Sequence, residues 1–287
     1  MDEIPVRFRS GENALYGILG LPDGTPRGGV VLVHGWTGCR MGPHRILVES
    51  ARHLNALGFA ALRFDLSGRG ESEGNPFATD LDGMIADTCA ALEAIRSRLP
   101  HAAPVALWGM CSGGNVALGA LHFAPEVSAV VCWSTYPFQS QRGRGQDLKR
   151  TGHFLADYSR KLLRLSTWKR LLRGAVNVRM VLRVLFGHLR GAPRDFDRSP
   201  QESARDRELV EAIGRYRGRL LFLFGGADPE AADARRMFRE FCAECGVAAD
   251  FEEIPGANHN FYSLHWKRLA IERSAGWLEG AVSRCNN

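Results

Sequence analysis

An apolar run beginning at Val105 stops at Gly109, and a helix-forming run, Val116 to Leu121, starts a few residues later. Between them lies Gly109-Met110-Cys111-Ser112-Gly113, a G-x-C-x-G turn. This stretch constrains the fold more than any other. A buried strand that turns sharply into a helix holds the residue at the tip in strained backbone, and small residues two before and two after it let the backbones pass. Gly109 and Gly113 fill both places and leave Cys111 at the tip. There it meets a helix N-terminus, whose N–H groups and dipole favour a thiolate and a developing oxyanion. Centring the turn on Ser112 would put Met110 where a side chain clashes. Free cysteine is also often only a small core residue, so the rest of the chain has to decide between the readings.

The flanking chain alternates strands and helices. Val6 to Arg9 and Ala14 to Leu19 read as an antiparallel pair, and Gly28 to Val33 as a strand buried on both faces. Ile46 to Leu57 has helical spacing and stops at Gly58; Phe59 to Phe64 is the next strand, followed by the Gly-rich turn Asp65 to Gly74. Asp80 to Ile95 reads as a helix, Val127 to Trp133 and Arg219 to Phe224 as strands, Ala231 to Cys245 as a helix, Ala249 to Ile254 as a strand, and Trp266 to Val282 as a closing helix. This rhythm predicts a mostly parallel sheet covered by helices on both faces. With 287 residues the chain can hold one large α/β domain with an insertion. Residues 136–216 break the rhythm. They are Arg-rich with few strand signals, and read as a helical lid inserted into a core formed by 1–135 and 217–287.

Two further residues fall on the same sheet edge as Cys111. Asp228 follows the strand Leu220 to Phe224 through Gly225-Gly226-Ala227, and His259 follows Phe251 to Ile254 through Pro255-Gly256-Ala257-Asn258. Nucleophile, acid and histidine in that chain order, each just after a strand, are the pattern of a catalytic triad. Asp233 is the fallback acid, but lies inside the following helix. The turn His34-Gly35-Trp36 would aim the Trp36 N–H at the site, with the Ser112 N–H as the second oxyanion donor. His34 itself reads as a structural histidine of that turn.

The strand order, HGWTG, FDLSGRGESEG, the Cys turn, GGAD and GANHNF together resemble an α/β-hydrolase over nearly the whole chain. Within that superfamily, HRILVESARHLNALGFAALRFDLSGRGESEG, LWGMCSGG and WKRLLRGAVNVRMVLR are similar to hydrolases associated with exosortase and exopolysaccharide clusters, which also carry Cys in the elbow. Dienelactone hydrolases share the Cys elbow. This chain departs from them in its large lid and its turn after the third strand, so their activity is not carried over.

The resemblance and the triad together imply a cofactor-independent, metal-free hydrolase of an ester or thioester, working through an acyl-cysteine. An acyltransferase on the same triad and an inactive binding protein on a hydrolase fold stay open. The seven scattered cysteines argue against a disulfide framework and for a reducing cytoplasm. Cys242 and Cys245 form no metal set without a second pair, and read as two residues one helical turn apart. The start of the chain lacks the pattern of a secretion signal, and no apolar run approaches the roughly 18 residues of a membrane span. No nucleic-acid motif is present. The net charge of +6 is segregated: from Gln141 to Pro200 about 15 Arg and Lys stand against about four Asp and Glu. Arg179, Arg183 and Arg190 fall within about 40° on a helix. Arg179 and Arg183 are therefore candidate contacts for an anionic, small-molecule or carrier-bound acyl substrate, against the alternative of a merely solvated helix face. The sequence leaves the oligomeric state open.

Overall fold

A computed structural model of the chain describes residues 2–137 and 200–283. It divides into two units, Met1–Pro137 with Glu208–Asn287, and Phe138–Arg207. Most of the segment read as a lid, with Arg179, Arg183 and Arg190, lies outside the described residues.

The first unit holds an eight-stranded sheet in the order β1-β2-β4-β3-β5-β6-β7-β8. Its strands are β1 (Asp2–Ser10), β2 (Asn13–Leu21), β3 (Gly29–Val33), β4 (Ala60–Phe64), β5 (Val105–Met110), β6 (Ala129–Trp133), β7 (Arg219–Gly225) and β8 (Ala249–Ile254). β2 runs antiparallel to both β1 and β4, and the pairs from β4 through β3, β5, β6 and β7 to β8 are all parallel. β3 to β6 are buried at every residue. That is why they read as continuous apolar runs rather than as alternating ones.

The described helices are α1 (Ile46–Ala56), α2 (Leu81–Arg96), α3 (Ser112–Ala120), α4 (Pro200–Gly214), α5 (Ala231–Cys245) and α6 (Leu264–Ser283). Asp80 caps α2 by accepting from the Gly83 N–H at 2.9 Å, satisfying one of the donors a helix start leaves open. Alternate residues of the strands, among them Leu32, Trp108, Val131, Trp133, Leu221 and Leu223, share one core with α1 and α6. On the other face α2 packs on α3. Trp133 is central: its ring meets Trp108 edge-on at 4.9 Å and Phe261 at 5.5 Å, and its indole N–H donates to Ser274 Oγ at 2.7 Å. The buried polar tip is thus satisfied while the ring contributes area. Because β3 and β5 to β8 are parallel, the turns leaving them gather on one edge, where open α/β sheets bind ligands. Among the described residues no helix is long and apolar enough to cross a membrane.

Candidate active site

β5 ends at Met110 and α3 begins at Ser112, so Cys111 alone makes the turn, at φ 56° and ψ −126°. A non-glycine residue there costs on the order of 1–3 kcal/mol, which surrounding structure must hold in place. The close approach is visible at both glycines. A side chain on Gly109 would run into the Gly113 backbone, and one on Gly113 into the carbonyls of Val33 and His34. The Cys111 N–H donates to the Trp133 carbonyl at 2.7 Å, tying the tip to β6. Ser112, by contrast, is an ordinary first helical residue.

Asp228 follows β7 in a turn closed by its N–H to the Gly225 carbonyl at 3.0 Å. Its side chain is buried, and Oδ2 lies 2.8 Å from His259 Nδ1. The loop carrying His259 is fixed at several points. The Ala227 N–H donates to the Ala257 carbonyl at 2.8 Å, Ser134 Oγ donates to the His259 carbonyl at 2.9 Å, and Phe261 is buried against Trp133. His44 Nε2 adds a bond to the Asn260 carbonyl at 2.9 Å. With Nδ1 on the acid, Nε2 is the nitrogen left to hydrogen-bond Cys111.

The electrostatics of the three groups are coupled. Burial pushes the Cys111 thiol up, but the His259 hydrogen bond and charge, with the Ser112 N–H and hydroxyl, outweigh it and bring the thiol below its ordinary value. Burial opposes the imidazolium too, yet bonds to Asp228 and Cys111 raise His259 to about 10. Asp228 is held below the usual carboxylate range: burial works against it, and His259, Tyr136 and the Glu230 N–H prevail. A thiolate–imidazolium pair backed by a carboxylate is the charge state these bonds favour. Elsewhere burial pushes Cys89 up to about 11 and Cys242 up to about 12, and raises Cys132 as well. Cys132 and Cys242 are buried and Cys89 is half-buried; all three thiols are raised where that of Cys111 is lowered, so Cys111 is set apart by its surroundings.

The Trp36 N–H reaches the site but is not vacant: it donates to Ser112 Oγ at 2.7 Å. The turn behind it is braced by the neighbouring Gly-rich turn. His34 Nδ1 bonds the Gly35 carbonyl at 2.8 Å, and the Leu66 N–H donates to His34 Nε2 at 3.2 Å. This fixes a neutral tautomer, and burial lowers the His34 pKa. Arg69 donates from Nε to the Trp36 carbonyl at 2.7 Å and lies 5.0 Å from the indole centroid. Asp87 of α2 accepts from the Ser67 N–H at 2.7 Å and from its hydroxyl at 3.0 Å. Asp65, fully buried, accepts from the Arg40 N–H at 2.6 Å and the Glu71 N–H at 3.1 Å.

The structure brings Cys111, Asp228, His259, Trp36 and Ser112 together on one edge. Asp233 is not among them; it lies on α5 in an ion pair with Arg236 at 3.6 Å. Cys242 is buried on α5 and Cys245 exposed, and among the described residues no cluster of candidate metal ligands occurs. Sequence reasoning missed Tyr136, whose hydroxyl lies 2.8 Å from both Asp228 oxygens and from His259 Nδ1. The available signal was its position just past β6, on the edge that carries the other turns. Arg69 was equally hidden, as one residue of a turn read only for its glycines.

The model of the alpha/beta hydrolase family matches residues 30–272. Among solved structures the chain is similar to an esterase from Pyrococcus furiosus, with a TM-score of 0.66 and 18% identity over 98% of this chain and 92% of that one. A dienelactone hydrolase from Anabaena variabilis gives 0.62 and 18% over 98% of both chains. Est1E from Butyrivibrio proteoclasticus with ferulic acid bound gives 0.63 and 16% over 97% and 99%. At such identities the likeness is one of fold. Among curated proteins, 88 residues are 34% identical to the lysophosphatidylserine lipase ABHD12 of Danio rerio, and the match spans 22% of that protein's length.

Proposed function

Because the chain belongs to the alpha/beta hydrolase family, we propose that it is a cofactor-independent hydrolase of an ester or thioester acting through Cys111, His259 and Asp228. The observation that carries this reading is the hydrogen-bonded chain from Asp228 through His259 to a thiol brought below its ordinary value. The resemblance to exosortase- and exopolysaccharide-associated hydrolases, which share the Cys elbow, supports it. All six described cysteines are unpaired, as a thiolate kept in a reducing compartment would be.

In this mechanism the Cys111 thiolate attacks the acyl carbon and forms a C–S bond. The carbonyl electrons move onto oxygen, which is held by the Trp36 and Ser112 N–H groups. The Ser112 hydroxyl must first turn aside, since it occupies the Trp36 N–H. Collapse breaks the bond to the leaving group, which takes the proton from His259 Nε2. A water molecule then gives its proton to His259, attacks the acyl-cysteine and expels the thiolate. Asp228 holds the imidazole in the tautomer this requires and stabilises its charge. The acyl-cysteine is itself a thioester, so forming it from a thioester is nearly isoenergetic and from an amide uphill. An alcohol or amine in place of water would make the same site an acyltransferase.

The basic segment from Gln141 to Pro200 favours an anionic acyl donor, with Arg179 and Arg183 as candidate contacts. The Danio rerio protein that matches 88 residues of this chain is named for lysophosphatidylserine, an anionic ester. Intact-protein mass after exposure to a panel of acyl donors tests the reading. We expect an adduct of acyl mass on Cys111, absent from Cys111→Ala and kept in Ser112→Ala. Undiminished labelling of Cys111→Ala would end it.

A further inference from the structure

β6 ends at Trp133, and the next three residues each bond a different member of the site. Ser134 Oγ donates to the His259 carbonyl at 2.9 Å. Thr135 Oγ1 reaches the Cys111 carbonyl at 3.3 Å. The Tyr136 hydroxyl lies 2.8 Å from each Asp228 oxygen and 2.8 Å from His259 Nδ1, and its ring stacks on the imidazole at 5.4 Å and 20°. Side chains of a regular strand alternate between faces, so three consecutive residues could not all serve one site. Ser134 breaks the alternation with φ 45°, a left-handed conformation uncommon for serine. Its N–H still donates to the Leu223 carbonyl at 2.9 Å, so the break begins at the last ladder bond.

The segment is held from outside as well. Ser134 and Thr135 are fully buried. A side chain on Gly114 would collide with Thr135 Oγ1, which gives the second glycine of the Gly113-Gly114 pair a reason of its own. Asn115 Nδ2 donates to the Tyr136 carbonyl at 2.9 Å. Helix α3 therefore seats the segment on the same turn that presents Cys111.

We propose that Ser134-Thr135-Tyr136 is a strap that positions all three members of the site, and that the Tyr136 hydroxyl sets the charge balance of the Asp228–His259 pair. The proposal rests on the Cys111–His259–Asp228 reading. One proton arrangement satisfies the geometry. The phenol donates its proton to the carboxylate, and the His259 Nδ1–H points to Asp228 Oδ2 with the phenol oxygen beside it. Burial and the Asp228 charge keep the phenol protonated, so Tyr136 acts as a donor and not as an acid or base. The other titratable groups around Asp228 are His259, Cys111 beyond it, and Glu230 at the start of α5, whose N–H also bonds the carboxylate at 3.3 Å. The phenol thus quenches part of the carboxylate's charge. Without it, the bare charge of the ionised Asp228 more strongly opposes a second anion at Cys111, while His259 is already protonated throughout the acid limb. The thiolate therefore collapses to thiol at a higher pH.

The test is the pH dependence of Cys111 alkylation by iodoacetamide in the full chain. Tyr136→Phe keeps the ring and its stacking and removes only the donor. A bond to a charged group shifts such a balance by about one pKa unit or more. At the midpoint of the wild-type acid limb, alkylation of Tyr136→Phe should therefore fall several-fold to about tenfold, with the neutral plateau retained. Asn115→Ala, which releases only the Tyr136 carbonyl, should move the limb the same way by roughly twofold, and serves if the Phe variant does not fold. Superposable profiles for the wild type and either folded variant, with His259→Ala still displaced, overturn the strap and leave the triad standing. A His259→Ala profile that overlays the wild type removes the triad, and the strap with it.

Discussion

His34 and His259 stand on the same sheet edge, one after β3 and one after β8, and the protein holds them in opposite charge states. His34 is almost wholly buried and bonds only backbone: a carbonyl through Nδ1 and an N–H through Nε2. A ring that donates at one nitrogen and accepts at the other is neutral. His259 faces a carboxylate and a thiol and is raised to about 10. In the first half of the site, His34 and Arg69 brace the Trp36 turn through bonds directed at backbone groups. The second half, Asp228, His259 and Tyr136, is held by mutually dependent charges. Rigid donors suit a group that must wait for an oxyanion, and coupled charges suit groups that pass a proton. Perturbing the first half should change rate without moving a pH profile; perturbing the second should move both.

The largest effect is expected from the charged half. Asp228→Asn keeps the shape but presents the wrong partner to Nδ1, so turnover of the best acyl donor should fall about 10³- to 10⁴-fold. His259→Ala should fall at least as far, and should return the thiol toward its free value near ~8.5, read from alkylation rate against pH. A large loss of rate with no displaced profile would erase the distinction between the halves. Next comes the neutral half. Arg69→Ala releases the Trp36 carbonyl and lets the opposite N–H drift. Displacing a hole donor costs less than deleting one, so kcat should fall about tenfold to a hundredfold, with the alkylation profile unmoved.

The wild-type pH dependence sharpens the same contrast. His259 must be protonated to serve the leaving group, and its pKa lies above neutrality. Acylation, read as kcat/KM, should therefore hold through neutral pH and fall as pH rises through about 10. His34, already neutral, should leave no inflection of its own. A fall centred near pH 6.5, the ordinary histidine value, would mean that the coupling to Asp228 and Cys111 is absent in solution.

This division also explains what could be read from the sequence. Buried runs such as Val30 to Val33 and Val105 to Trp108 fix the strands because burial on both faces leaves no alternative composition. The edge strand β1 is longer than its apolar signal, Asp2–Ser10 against Val6 to Arg9, because its outer residues are exposed and only pairing with β2 makes them a strand. Helix α3 starts at Ser112, directly after the Cys111 tip and ahead of the helix-forming run Val116 to Leu121. Gly113 and Gly114 are poor helix formers, and crowding under the turn places them there instead. Cys111, Asp228 and His259 were legible as neighbours because each directly follows a strand of the same sheet. Tyr136 and Arg69 were not. Each acts through one long side chain reaching a neighbouring turn, and no local pattern records such a reach. Arg179 and Arg183 lie outside the described residues, and their part in binding is a matter for salt dependence: kcat/KM for an anionic donor should fall with ionic strength, less so in the double Ala variant.

The smallest expected effect lies where the two halves meet, at Ser112. Its hydroxyl accepts from the Trp36 N–H at 2.7 Å and helps to stabilise the Cys111 thiolate. Ser112→Ala therefore does two opposed things. It leaves the Trp36 N–H free for the substrate oxyanion, which removes the cost of displacing a hydrogen bond worth about 0.5–1.5 kcal/mol. It also takes one donor from the thiolate, a loss of the same order. The two nearly offset, so kcat/KM should stay within about threefold of wild type. Separate readouts resolve them. A peptide-free aldehyde that forms a hemithioacetal on Cys111 places its oxygen in the hole, and should bind the Ala variant more tightly. The acid limb of alkylation, which reports the thiolate alone, should move to slightly higher pH. Tighter aldehyde binding with an unmoved limb would confine Ser112 to the Trp36 half. A moved limb with unchanged aldehyde binding would confine it to the charged half.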